Sequence, residues 1–123
     1  MAKWDEGYVT DVAYMPNYHR HHAPLHLHLA CTLGGAAGLD LDAGSLTYLD
    51  LGCGPGFATL VLAASNPSSH FIGIDFHAGH IAAARRAAHE AGIANARFVE
   101  ADLGTLIDSP LADEIPEADI VTL

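Results

Sequence analysis

Hydrophobic and polar positions divide the chain near residue 45, and beyond that point short apolar runs alternate with longer helical stretches. Thr47–Leu51, His70–Asp75, Ala96–Glu100 and residues 119–123 have strand length and read as buried strands. Between the first two, Phe57–Ser65 is apolar and alanine-rich and stops at Asn66-Pro67, as a helix should. Ala78–Ala91 puts Ile81, Ala84 and Ala88 on one helical face, with Gly92 just past its end as a C-terminal glycine. A shorter helix is expected over 103–107, followed by Ser109-Pro110 and an acidic loop reaching Pro116.

This alternation predicts an α/β fold: a Rossmann-like, doubly wound parallel sheet with right-handed crossovers and a ligand site at the carboxyl ends of its strands. Sheets of this type usually run past four strands, so the sheet is expected to be truncated after the fourth. Residues 1–45 are expected to form a helical leader that caps an incomplete half-domain, 46–123. Within the leader, His19, His21, His22, His26 and His28 crowd ten residues. A metal site is one reading, but no cysteine partner or His-Glu-x-x-His spacing accompanies them, and a solvated face is preferred, with no metal. Leu25, Leu27 and Leu29 alternate with His26 and His28, as an extended piece or as a helix turning its histidines to solvent. Tyr8, Tyr14 and Tyr18 fit as aromatic staples on the sheet.

Composition narrows the partners. Half of the 123 residues are hydrophobic, enough for one packed core and no second domain. Fifteen acidic residues against five basic ones give a net charge of -10, which argues against a nucleic-acid or anionic-membrane partner. Neither Cys31 nor Cys53 belongs to a paired motif and no stretch has the length of a membrane span, so a reduced, cytoplasmic setting is expected. An uncovered edge at the fourth strand favours self-association.

Candidate chemistry sits at the strand ends. Asp50-Leu51-Gly52-Cys53-Gly54-Pro55-Gly56 makes a tight turn whose backbone can approach a ligand before the first helix. A dinucleotide fingerprint would need its third glycine at 57, which is Phe57, so the spacing argues against NAD. Asp50 offers a carboxylate to a ligand ammonium group or else orients the loop, while Asp75 offers one to a pair of ribose hydroxyls and Asp102 to the exocyclic amine of a base. For Asp75 and Asp102 the plainer reading is a helix cap. Three consecutive strands ending in a carboxylate at one sheet edge say more than any one of them.

The run Tyr48-Leu49-Asp50-Leu51-Gly52-Cys53-Gly54-Pro55-Gly56 resembles the first motif of class I S-adenosylmethionine-dependent methyltransferases. Glu100-Ala101-Asp102-Leu103 and Glu117-Ala118-Asp119-Ile120-Val121 resemble the family's third and fourth motifs, so the similarity covers 46–123. It implies S-adenosylmethionine as cofactor and methyl transfer to an acceptor the sequence does not identify. It also implies that Gly52, Gly54 and Gly56 underlie the cofactor's methionyl and ribose portions, with Asp50 and Cys53 of the same motif among the cofactor-binding residues, that Asp75 holds the ribose hydroxyls, and that Phe76 lies against the adenine. Asp102 and the Leu103 backbone would meet the adenine amine, and Tyr14 would cover the methionyl end. No catalytic base stands out, since such residues usually follow the fourth strand. A finer resemblance, to methyltransferases with a downstream regulatory domain, rests on Gly7-Tyr8-Val9, Tyr14, Ile74-Asp75-Phe76 and residues 80–85. There the usual asparagine and proline are replaced by His77-Ala78-Gly79, which is expected to loosen the start of the second helix. The alternatives are a nucleotide-binding or regulatory module without turnover and, behind it, an NAD-type oxidoreductase fragment.

Overall fold

A computed structural model describes residues 15–123. Four strands, β1 (Thr47–Leu51), β2 (His70–Asp75), β3 (Ala96–Glu100) and β4 (Ile120–Thr122), form one sheet in the order β3-β2-β1-β4. Every pairing is parallel, with Tyr48 opposite Phe71 and Ile120, and Asp75 opposite Glu100. Three α-helices accompany the sheet: α1 (Pro24–Leu33), α2 (Phe57–Ser65) and α3 (Ala78–Ala91). The Rossmann-like reading holds, and the first three strands and both crossover helices keep the bounds expected of them.

Register assigns the two faces. Tyr48, Phe71, Phe98 and Ile120 point to the side where α2 and α3 pack, with Leu60, Leu62, Ala63, Ile81, Ala84 and Ala88 filling the space between. Ala23 and Leu27 bring the leader onto the same cluster. On the opposite face Ile72, Ile74 and Val99 are covered by Leu103, Leu106, Leu111 and Ile115 from the segment after β3.

That segment departs from expectation. The helical stretch expected over roughly 103–107 starts later and is 3-10 in form, as two turns, Leu106–Asp108 and Pro110–Glu114. Asp102 Oδ1 accepts from the Gly104 N–H at 2.8 Å and its carbonyl accepts from the Thr105 N–H at 3.2 Å, so a local turn takes the groups that would have begun a helix. The fourth strand is shorter than 119–123: Asp119 uses Oδ2 to accept from the Thr47 N–H at 2.8 Å, ahead of the ladder.

The leader is helical over α1, but its histidines do not form a uniformly solvated face. Leu27 turns inward, leaving Leu25, Leu29 and Leu33 aligned on an outer face, 69%, 52% and 79% exposed. His28 is half-buried, with Nδ1 2.9 Å from the Leu39 carbonyl, while His26 stays exposed. His77 does not loosen α3. It is the N-cap, and its Nδ1 accepts from the Gly79 and His80 N–H groups at 3.1 and 3.3 Å. Among the described residues no helix is long and apolar enough to cross a membrane.

Candidate functional site

Parallel pairing puts the carboxyl ends of β1, β2 and β3 on one edge, and with them the glycine loop, Asp75 and Asp102. Gly52 and Cys53 N–H groups both donate to the Ile74 carbonyl, at 2.7 and 3.0 Å, which folds the loop back over β2. The three glycines do different work. At Gly52 and Gly54 (φ 74° and 56°) a Cβ would meet only open space, so the backbone there is bare to a ligand. Gly56 is buried, with φ 79°, and a Cβ would lie 2.7 Å from both Ala84 Cβ and Phe98 Cε1; its role is to let α2 start against α3 and β3.

Asp50 is held from two elements. Thr59 Oγ1 of α2 donates to Oδ2 at 2.7 Å and Thr122 Oγ1 of β4 donates to Oδ1 at 3.2 Å. Burial pushes its carboxyl above the usual aspartate range, and the two hydroxyl bonds pull part of the way back. Cys53 is half-buried beside it; burial drives its thiol well up, so it serves as a neutral wall of the loop rather than a nucleophile.

Asp75 is nearly buried and staples the loop to the next helix. Oδ2 accepts from the Gly54 N–H at 2.9 Å and Oδ1 from the His77 N–H at 2.8 Å, with His80 Nδ1 3.4 Å from Oδ1. It is therefore not the cap of α3, that place being taken by His77. Phe76 is half-buried at the same strand end, with its ring edge-on to His77. Asp102 closes its turn through Oδ1, and Leu103 is half-buried with its side chain in the core.

A cavity of about 260 Å³ opens beside the loop. It brings together Asp50, Gly52, Cys53 and Gly54, while Asp75, Phe76, Asp102 and Leu103 lie outside its lining, further along the same edge. Its other wall was not foreseen: Asn17, His19 and His22 of the leader face the loop, with apolar Met15, Phe57 and Leu123 around them. Tyr14, expected over this end, lies outside the described residues. Thr59 and Thr122 were also missed, although a threonine that interrupts the apolar run 57–63 was a signal for the first.

Comparison with known proteins fits this geometry. A family model described as a methyltransferase domain matches residues 42–123. Protein sll1526 of Synechocystis sp. is 33% identical over 98% of this chain and 23% of its own length. The tRNA (guanine-N(7)-)-methyltransferase of Yersinia enterocolitica is 35% identical over 53% of this chain and 27% of its own. In fold, the chain is like PKMT2 from Rickettsia typhi in complex with AdoHcy, with a TM-score of 0.75 and 24% identity over 88% of this chain and 20% of that one. The chain thus spans about a quarter of the length of these curated relatives. The finer resemblance to enzymes with a downstream regulatory domain finds no support in these matches. A match over two thirds of the chain, on the segment that builds the sheet and the glycine loop, settles the family: the chain belongs to the methyltransferase domain family.

Proposed function

We propose that this chain supplies the S-adenosylmethionine-binding half of an enzyme that transfers a methyl group to an acceptor. The observation that carries the reading is the common sheet edge on which a bare glycine loop, Asp50, Asp75 and Asp102 succeed one another. These residues fit the cofactor. Gly52 and Gly54 leave backbone open where a ribose and methionyl chain would pass, and Asp50 borders the cavity where an ammonium group would sit. Asp75 Oδ2 accepts one bond from Gly54 and has room for a second, from a ribose hydroxyl. Phe76 offers its ring to an adenine, and Asp102 Oδ2 with the Leu103 backbone meets the adenine's polar edge. In this division the described part of the leader, residues 15–45, caps the site and 46–123 hold the ligand.

When bound, the cofactor supplies a methyl group already activated on a sulfonium. What the chain's own residues contribute is alignment and exclusion of water, which for a bimolecular step is worth about 7–11 kcal/mol when well held. The acidic surface argues against a phosphate backbone resting on this part of the protein, whereas tRNA-methylating relatives keep nucleic acid among the acceptors to test. Two free cysteines fit a reduced, cytoplasmic setting.

Isothermal titration with S-adenosylhomocysteine and, separately, NAD tests the reading. Binding of the first alone, weakened in Asp75→Ala and Asp102→Ala, is expected; binding of NAD alone, or of neither, overturns it. Transfer of label from S-adenosylmethionine to protein, tRNA or small amines then separates an enzyme from a module without turnover.

A further inference from the structure

Two leader imidazoles reach the cavity because a core residue pulls them there. Tyr48 and Asp50 are two residues apart on β1 and so point to the same face of the sheet. The Tyr48 ring is buried, stacked on Phe71, and its hydroxyl donates to the His22 carbonyl at 2.8 Å. That bond hangs the 3-10 turn Arg20–His22 over the face that carries Asp50, and His22 and Asp50 both line the cavity.

His19 stands beside His22, with ring centroids 5.5 Å apart. Its orientation is set locally. Asn17 Oδ1 accepts from the Tyr18 N–H at 2.9 Å, which turns Nδ2 of the same amide toward His19 Nε2 at 3.3 Å. An amide nitrogen only donates, so Nε2 accepts and the ring proton sits on Nδ1. No lysine or arginine is among the described residues lining the cavity; besides the Asn17 amide, His19 and His22 are the leader side chains there with ring nitrogens able to donate. The wall of the cavity therefore carries a carboxylate from β1 and two imidazole donors from the leader, with the bare glycine backbone beside them.

We infer that His22, with His19 at its side, recognises the carboxylate of an α-amino-acid group held in this cavity, while Asp50 faces the ammonium of the same group. The inference rests on the cofactor reading above and adds the residues that select for an amino-acid end. Such an end carries opposite charges on one carbon, and a wall offering both an acid and nitrogen donors satisfies the two together. The leader is then a specificity element, set there by a contact spanning 26 residues, from Tyr48 to His22, together with Ala23 and Leu27 packed on the core.

The test compares two ligands: S-adenosylhomocysteine, which has the amino-acid end, and 5′-methylthioadenosine, which keeps the adenosine and thioether but lacks it. Affinities are measured by titration calorimetry for the wild type, His22→Ala, His19→Ala, the double variant and His22→Asn. The Tyr48 bond goes to a backbone carbonyl, so every variant keeps the tether. His22→Ala is expected to weaken S-adenosylhomocysteine about tenfold or more, the loss of one charge-assisted hydrogen bond, and the double variant more still. His22→Asn, which retains a donor, recovers part of the loss, and 5′-methylthioadenosine binds all five proteins alike. Unchanged S-adenosylhomocysteine affinity in the double variant overturns the inference, as does an equal loss for both ligands, which would make the histidines structural. If the wild type binds neither ligand, the cofactor reading itself fails and takes this inference with it.

Discussion

Gly54 and Gly56 share a loop and a positive φ, yet substitution separates them. Gly56→Ala combines a left-handed backbone, costing about 1–2 kcal/mol, with a Cβ driven into Ala84 and Phe98, worth about another 1–3 kcal/mol. A melting temperature lowered by several degrees is expected, measured by circular dichroism. Gly54→Ala meets open space and bears only the backbone term, so its larger effect falls on affinity for S-adenosylhomocysteine. Asp50 predicts a pH dependence. Burial raises its folded-state pKa, so the folded chain holds that proton more tightly than the unfolded one. Its contribution is therefore favourable at acid pH and is lost as pH rises through the raised value. Asp50→Asn removes this loss: relative to wild type, its melting temperature should improve as pH rises above the usual aspartate range, and a difference that is flat or falls sinks the argument. Tyr48, pushed up to about 12 by burial, keeps its proton throughout and goes on donating to His22. Tyr48→Phe is expected to cost about 1 kcal/mol and to loosen the leader, read as faster proteolysis near residue 22.

At the level of elements, the join between α2 and β3 depends on one side chain. Asn95 Nδ2 lies 3.0, 3.1 and 2.9 Å from the carbonyls of Ala63, Asn66 and Ser69, tying the end of α2 and the approach to β2 to the start of β3. Asn95→Ala leaves these half-buried acceptors short of a donor, and a loss of about 1–3 kcal/mol is expected in urea denaturation. Nothing in the sequence pointed to Asn95, whereas α2, α3 and the first three strands were legible to their ends. The difference is physical. Apolar runs bounded by glycine and proline encode elements locally, as Gly92 shows after α3. The segment after β3 failed for the same reason in reverse, since the Asp102 to Gly104 turn competes with a helix on nearly equal local terms. In the site, the loop and the strand-end acids were readable from spacing. Thr122 holding Asp50 across 72 residues was not, and nor was the arrival of His22 beside it.

Across the whole molecule, two opposing features would set whether copies associate. Among the described residues, with the order β3-β2-β1-β4, strand β4 pairs with β1 and meets no further strand on its other side, and its neighbourhood shows Val121 at 56% and Leu123 at 89% exposure. An edge strand with apolar flanks is a template for a second copy. Against it stands the net charge of -10, which repels an approaching copy over a range set by salt, about 10 Å at 0.1 M. The edge contact is short-ranged and the repulsion long-ranged, so added salt removes the second before it affects the first. Self-association should therefore increase from low to moderate salt, followed by sedimentation velocity at fixed protein concentration. Val121→Lys puts a charge on the strand and should hold the chain monomeric at both salt levels. If Val121→Lys associates as readily as wild type, contact runs through another surface, for which the outer leucine face of α1 is the next to examine.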